Sequence, residues 1–311
     1  MSIIEKAAGR IEHGRQERAP AQARAADSSA GAGPARGGQR GHGAATATAT
    51  ATAVPPPGAT PAPSAPGTPP RRTREVELDL ARMQERGLIT VAGGRTLLVE
   101  DFRVIKRPIL KKAFPGGTAV LPSNLVMITS ALAGEGKTYC SINLAMSIAM
   151  ELDHTVLLID ADVARPSVLK ALGLPPQPGL MDLLLDDSLD LADVMLRTNV
   201  NTLSILPAGT ANLRATELLA SQSMKALVLE IAQRYPDRIV IFDSPPLLLT
   251  SEARVLAGHM GQIVMVVESQ RTTQHAVMDG LRRLEGCDNV SLIYNKSRDF
   301  AGTETYDYHY G

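Results

Sequence analysis

Cysteine, tryptophan and long apolar runs are scarce or missing in this 311-residue chain, and each shortage excludes a class of protein. The two cysteines, Cys140 and Cys287, stand outside any CxxC pair, which argues against a disulfide framework and a structural zinc site. With no tryptophan and four phenylalanines, the core is predicted to be aliphatic. The chain starts without a secretory signal and has no bilayer-length apolar run, which predicts a cytoplasmic protein.

Net charge is missing as well, because 32 basic side chains balance 32 acidic ones. A zero balance argues against electrostatic binding to nucleic acid as the main activity. We therefore expect no nucleic-acid partner.

Large apolar residues are sparse in the first quarter of the chain. Residues 1–14 carry isoleucine and alanine at helical spacing, which predicts a short amphipathic helix. Residues 15–72 consist mainly of Ala, Pro, Gly, Thr and Ser, with too little apolar surface to offset the entropy of ordering. This composition predicts a disordered linker, followed by a folded domain over 73–298 and a flexible tail over 299–311.

Strand-like and helix-like patterns alternate in the predicted domain. Helices are predicted over 75–86 and 98–112. Six aliphatic runs follow, with amphipathic stretches between them: Leu125–Thr129, Val156–Asp160, Leu203–Pro207, Ile239–Asp243, Ile263–Val267 and Val290–Tyr294. Near-continuous aliphatic strands separated by helices are typical of a parallel sheet. The prediction is an α/β domain with a mostly parallel sheet and helices on both faces.

The first strand runs into a glycine-rich turn followed by a helical pattern. Residues 131–138 match a Walker A motif except that Ala131 replaces its first glycine. Such a loop curls its backbone N–H groups around phosphate, which predicts a P-loop NTPase fold that binds ATP and Mg²⁺. The residues predicted to contact nucleotide are Ala133, Gly134, Glu135, Gly136, Lys137, Thr138, Tyr139 and, after the last strand, Asn295. For Asn295, a capping role in a turn is an equal alternative.

Carboxylates follow two further strands. Asp160 and Asp162 follow the second strand, and Asp243 ends the fourth. Because these strand ends share an edge of the sheet, the three acids and Thr138 are predicted to hold Mg²⁺. One acid could also accept a proton from an incoming hydroxyl. The alternative is a set of solvated loop residues.

Tyrosine is concentrated at the C-terminus. Three of the six tyrosines, Tyr306, Tyr308 and Tyr310, fall in the last six residues, beside Asp307. On a chain with an ATP site, exposed tyrosines in a tail are predicted phosphoacceptors. The alternative is a tail that binds a partner without being modified.

Together these motifs resemble the bacterial tyrosine kinases of polysaccharide export. The Met-Ser-Ile-Ile-Glu-Lys start and the low-complexity linker are most similar to the exosortase-associated tyrosine autokinase group. The resemblance implies an ATP-dependent autokinase that phosphorylates its own tail, in trans. It assigns catalysis to Lys137, Asp160 and Asp162, with Asp162 as the base, and Walker B to Asp243.

The resemblance also implies partners. An E-x2-R-x2-R oligomerisation motif falls on Glu100, Arg103 and Lys106, where lysine replaces the last arginine, and implies a ring-like homo-oligomer. An inner-membrane chain-length-determinant protein would activate the kinase and recruit it to the inner face of the plasma membrane. A tyrosine phosphatase would reverse the modification.

A second function is compatible with the same loop. Partitioning and cell-division ATPases hydrolyse ATP slowly and recruit partners, but they carry a signature lysine at the position of Leu132. The missing lysine and the tyrosine cluster favour the kinase. A non-catalytic adaptor is disfavoured by the complete set of P-loop and carboxylate residues.

Overall fold

The structure of the chain, a computed structural model, describes residues 73–114, 122–234 and 237–297. The predicted N-terminal helix (1–14), linker (15–72) and tail (299–311) lie outside the described residues. Their boundaries stay predictions.

Within the described ranges, one sheet of eight strands forms the centre of the domain. The strands are β1 (Arg74–Val76), β2 (Leu125–Ser130), β3 (Thr155–Asp160), β4 (Leu196–Thr198), β5 (Leu203–Leu206), β6 (Arg238–Asp243), β7 (Gln262–Glu268) and β8 (Val290–Asn295). Their order across the sheet is β1-β4-β5-β3-β6-β2-β7-β8. Neighbouring strands run parallel except β4 and β5, which are antiparallel. The six predicted strands are confirmed.

Helices cover both faces of this sheet. They are α1 (Leu80–Glu85), α2 (Leu97–Ala113), α3 (Lys137–Ala149), α4 (Val168–Leu172), α5 (Leu180–Leu185), α6 (Leu191–Val194), α7 (Ala215–Leu219), α8 (Gln222–Arg234), α9 (Glu252–Ala257) and α10 (Gln274–Arg283). Val126 and Ile128 of β2 pack in the core that includes α2 and α3. Leu125 and Met127 pack in the core that includes α8 and α9. This alternation confirms the predicted fold class.

The first predicted helix, 75–86, is wrong in its first half. Residues Arg74–Val76 form β1, which pairs in parallel with the unpredicted strand β4. α1 begins only at Leu80, where the Asp79 side chain accepts a hydrogen bond from the Arg82 N–H at 2.9 Å. A three-residue strand is stabilised by its distant partner, so its own sequence carries little signal. The second predicted helix, 98–112, is confirmed as α2.

The buried core is aliphatic, as predicted, with Phe102 and Phe242 as its aromatic members. Cys140 and Cys287 are both free thiols. Burial raises the pKa of the Cys140 thiol to about 12, so this side chain stays protonated. In the described part of the chain, no helix combines the length and apolarity needed to cross a membrane.

Candidate active site

The glycine-rich loop lies at the middle of the carboxyl edge of the sheet. β2 ends at Ser130, the loop covers residues 131–136, and α3 begins at Lys137. β6 and β7 flank β2 in parallel, so three strand ends meet around the loop. Ligands of open α/β sheets bind at this edge. The strand, loop and helix that a Walker A motif requires are present.

Backbone geometry explains the loop's glycines. Gly134 and Gly136 have φ angles of 86° and 96°, a region that other residues rarely adopt. A Cβ on Gly136 would also lie 2.1 Å from Asn295 Nδ2. Ala131 is completely buried, and its carbonyl accepts a hydrogen bond from the Leu248 N–H at 3.2 Å. The loop therefore accommodates alanine in place of the first Walker A glycine.

The loop lysine is held by a carboxylate. Lys137 Nζ donates to Asp162 Oδ2 at 2.8 Å, and the two side chains are 14% and 6% exposed. The other oxygen, Asp162 Oδ1, accepts from the Arg165 N–H at 3.2 Å. The structure thus brings together the predicted phosphate-binding residue and the predicted base.

Asp243, at the end of β6, is completely buried and accepts two hydrogen bonds from α3. Thr138 Oγ1 donates to Asp243 Oδ2 at 2.6 Å, and Ser141 Oγ donates to Oδ1 at 3.0 Å. Burial raises the pKa of Asp243 to about 6, although the positive charge of Lys137 opposes the shift. The Asp243 carboxylate thus lies in direct contact with Thr138, a predicted Mg²⁺ ligand.

Asp160, at the end of β3, accepts hydrogen bonds through one of its two carboxylate oxygens. Asp160 Oδ2 accepts from the N–H groups of Ser167 and Val168, each at 2.9 Å. Oδ1 is buried and has no hydrogen-bond partner among the residues that the structure describes. Burial, followed by the charge of Asp243, raises the pKa of Asp160 to about 7. An unsatisfied buried oxygen costs free energy, and a cation or its bound water would relieve that cost.

These oxygens fit a magnesium ion that is only partly held by protein. Within residues 73–114, 122–234 and 237–297, no group of three or more His, Cys, Asp or Glu side chains has the arrangement of a metal site. Mg²⁺ usually keeps several waters and shares phosphate oxygens, so it needs few protein ligands. The candidate ligands are Thr138, Asp160, Asp162 and Asp243, and the unsatisfied oxygen of Asp160 supports them.

The same region of the chain matches known proteins. A family model described as an AAA domain matches residues 123–297. The tyrosine-protein kinase YwqD of Bacillus subtilis (strain 168) is 34% identical over 212 residues, which are 68% of this chain and 85% of YwqD. The chain belongs to the bacterial tyrosine kinase family.

Two further comparisons, with a curated protein and with a solved domain, match the same region. The succinoglycan biosynthesis transport protein ExoP of Rhizobium meliloti (strain 1021) is 31% identical over 254 residues, 78% of this chain but only 31% of ExoP. The solved BceF tyrosine kinase domain has 26% identity and a TM-score of 0.56, covering 68% of this chain and 86% of that domain. The chain is thus a P-loop tyrosine-protein kinase, while membership of the exosortase-associated group stays a prediction.

The side chains of Glu135, within the loop, and of Asn295, at the end of β8, form hydrogen bonds with the loop backbone. Glu135 is 2% exposed, and its carboxylate accepts hydrogen bonds from the Leu132 N–H at 2.6 Å and from the Thr272 hydroxyl. Asn295 Nδ2 donates to the Glu135 carbonyl at 2.8 Å. The Glu135 side chain therefore shapes the loop from inside, and a nucleotide contact there would use its backbone, as at exposed Ala133.

Tyr139 is partly buried, and its hydroxyl faces the segment that follows α1. The hydroxyl donates to the Gly87 carbonyl at 2.8 Å. A nucleotide contact by Tyr139 would also have to use its backbone. The predicted acceptors Tyr306, Tyr308 and Tyr310 lie outside the described residues.

The predicted oligomerisation triplet does not form one exposed surface. Glu100 and Arg103 make an ion pair of 2.5 Å on the exposed side of α2. Lys106 is 5% exposed; its Nζ donates to the Ser147 carbonyl at 2.6 Å and pairs with Glu151. The third position faces inward against α3, because Lys106 stands four positions after buried Phe102 and three before buried Ile109, on the core side of the helix. A role in assembly remains a prediction for Glu100 and Arg103.

Four side chains of the site were not predicted: Ser141, Ser167, Thr272 and Lys296. Ser141 follows Thr138 by three positions, so helical spacing could have placed both hydroxyls on the face that meets Asp243. Ser167 Oγ lies 2.8 Å from Thr138 Oγ1, but it comes from a loop without a periodic signal. Thr272 and Lys296 reach the site only through the order of strands in the sheet.

Proposed function

We propose that this kinase transfers the γ-phosphoryl group of ATP to tyrosines of its own C-terminal tail, and that this transfer regulates exopolysaccharide synthesis or export. The acceptors in the proposal are Tyr306, Tyr308 and Tyr310. One observation carries it: the ion pair between Lys137 and Asp162 joins the phosphate-binding residue to the base. The succinoglycan transport relative supports the exopolysaccharide context.

Nucleotide binding would exchange the partner of Lys137. The loop N–H groups and the N-terminus of α3 attract the phosphates, and the lysine then moves from Asp162 to the outer phosphate oxygens. Thr138, Asp160 and Asp243 would hold Mg²⁺, which would supply neutralisation of the phosphate charge. The ligand therefore releases the carboxylate that the reaction needs.

Released Asp162 then has a proton-accepting role. The tyrosine oxygen attacks the γ-phosphorus while the bond from that phosphorus to the β–γ bridging oxygen breaks, and ADP leaves. The phenolic proton passes to Asp162, and Lys137 stabilises the charge that develops on the leaving oxygens. Asp160 and Asp243, which lie close to Thr138, would remain candidate Mg²⁺ ligands during the transfer.

Chain length permits the tail to reach a site. Tyr306 follows Lys296, which contacts the loop, by ten positions (306 − 296). Ten extended residues span up to about 35 Å. We propose transfer between chains, because the exposed Glu100–Arg103 face offers a place for a second copy. Phosphate beside Asp307 would then weaken docking of the tail by repulsion and loosen the assembly.

Mass spectrometry tests the proposed acceptors. Wild type and Lys137→Met are incubated with ATP and Mg²⁺, with and without a candidate activator, and the C-terminal peptide is analysed. We expect phosphate on Tyr306, Tyr308 or Tyr310 in wild type only. Release of free phosphate with an unmodified tail would overturn the proposal.

Mixing two full-length variants, neither of which can phosphorylate its own tail, tests transfer between chains. One chain carries Lys137→Met with its tyrosines intact, and the other has all three tail tyrosines replaced by phenylalanine. We expect label on the Lys137→Met chain, at a rate that rises with total concentration. Label that never appears on that chain would restrict transfer to its own tail.

The partners complete the proposal. We propose activation by an inner-membrane chain-length-determinant protein, which would bring the kinase to the inner face of the plasma membrane, and reversal by a tyrosine phosphatase. A ring-like homo-oligomer would present tails to neighbouring sites. Sizing phosphorylated and dephosphorylated protein side by side tests the assembly, and equal masses would count against it.

A further inference from the structure

Two carbonyls of the phosphate loop are capped by side chains from the end of β8. Lys296 Nζ donates to the Gly134 carbonyl at 2.7 Å. Asn295 Nδ2 donates to the Glu135 carbonyl at 2.8 Å. Asn295, the last residue of β8, and Lys296, which follows it, therefore cap two adjacent carbonyls of the loop. The loop lies about 160 positions earlier in the sequence.

The direction of these carbonyls decides what the loop can bind. A phosphate-binding loop needs successive N–H groups turned inward, and its carbonyls must then point away. A carbonyl that turned inward would repel phosphate. Gly134 and Gly136 lack the Cβ that restricts other residues, so the backbone here can reorient, and an external donor on each outward carbonyl stabilises the binding-competent form.

The donors are themselves fixed. Lys296 Nζ lies 3.2 Å from Glu268 Oε2 at the end of β7, and this carboxylate is 12% exposed. Asn295 packs against Gly136, where a Cβ would lie 2.1 Å from its Nδ2. Lys296 also has a φ of 57°, an unfavourable conformation for a residue with a side chain. A strained lysine at this place is consistent with a requirement for its side chain.

We propose that Asn295 and Lys296 are positioning residues that hold the carbonyls of Glu135 and Gly134 outward, so that the loop N–H groups face the phosphates. This inference rests on the proposed function of the loop as the nucleotide site. It differs from a contact between Asn295 and the base, because the positioning role acts on phosphate whatever base is attached.

Inorganic tripolyphosphate separates these two roles, since it carries phosphates without a base. Calorimetry with magnesium tripolyphosphate and with a magnesium-bound non-hydrolysable ATP analogue is done on wild type, Asn295→Ala, Lys296→Met and Lys296→Arg. We expect Asn295→Ala and Lys296→Met to weaken both ligands by about tenfold each, the effect of losing one such hydrogen bond. Lys296→Arg keeps a donor and should bind within threefold of wild type.

Matched controls come from exposed residues away from the loop. Asn201→Ala lies before β5 at the opposite edge of the sheet, and Lys112→Met lies in the last turn of α2. Both should bind as wild type does. In kinase assays the two loop variants should raise KM for ATP more than they lower kcat.

Each outcome has one reading. Unchanged tripolyphosphate binding in Asn295→Ala and Lys296→Met overturns the inference, and loss of the ATP analogue alone in Asn295→Ala assigns that residue to the base. Wild type that binds neither ligand overturns the proposed function itself. If Asn295→Ala does not fold, the more exposed Lys296 and its arginine variant decide the question.

Discussion

Two lysines with little exposed side chain lie at opposite ends of α3, and each forms an ion pair with a carboxylate. At the N-terminus, Lys137 pairs with Asp162, and two further buried carboxylates lie nearby. At the C-terminus, Lys106 of α2 pairs with Glu151 and donates to the Ser147 carbonyl. The first ion pair faces a loop built to receive anions, so it can exchange partners. The second caps the C-terminal end of a helix, where a cation is favourable, so we expect it to be structural.

The largest expected effect separates the two lysines by activity. Lys137→Met removes the charge that stabilises the transferring phosphate, so we expect kcat to fall by about 100- to 1,000-fold. Tail phosphorylation by purified protein measures it, and circular dichroism checks the fold. Residual activity near that of wild type would mean that this lysine does not serve the phosphates.

Lys106→Met should act on stability instead. Removing the donor leaves the Ser147 carbonyl and Glu151 without this partner, and we expect a loss of about 1–3 kcal/mol in the free energy of unfolding. Urea denaturation measures it, beside Lys112→Met, which replaces an exposed lysine of the same helix. The comparison fails if kinase activity falls as far as in Lys137→Met.

The carboxylates beside Lys137 predict an unusual pH dependence for metal-free protein. Burial raises the pKa of Asp160 to about 7 and of Asp243 to about 6. Between about pH 4 and those values the folded state holds protons that the unfolded chain has lost, so this contribution to stability is lost as pH rises.

Asp243→Asn isolates this contribution, because an amide does not titrate. In EDTA we expect the substitution to raise Tm at pH 8 relative to wild type, and to raise it less at pH 5. Differential scanning calorimetry at the two pH values measures both shifts. Equal shifts would show that Asp243 is charged in the folded protein throughout this range.

The smallest effect on stability is expected at the Glu100–Arg103 pair. Both side chains are well exposed, so Arg103→Ala should change the free energy of unfolding by less than about 0.5 kcal/mol. If this face contacts a second copy, the same variant lowers the mass measured by light scattering. A large loss of stability without a change in the mass of the assembly would show that Arg103, like Lys106, has a structural role.

Much of the site was predictable because its signals are local. The turn of residues 131–138 requires positive φ angles at defined places. Aliphatic runs mark the strands, and the acids stand at or just after the ends of these runs. Asp160, Asp162 and Asp243 follow from the rule that parallel strands meet ligands at their carboxyl ends. Alanine also fits at position 131 in place of the first Walker A glycine, because this buried position does not require a positive φ angle.

The strand–loop–helix unit, the acids at strand ends and the aliphatic core are encoded by spacing within a few residues, so they could be read from the amino-acid order. Long-range packing was needed to show that Lys137 pairs with Asp162, that Lys106 faces inward, and that Asn295 and Lys296 cap the loop. Those contacts join residues from 25 to 162 positions apart. Their proximity depends on the order of strands across the sheet, which no local pattern records.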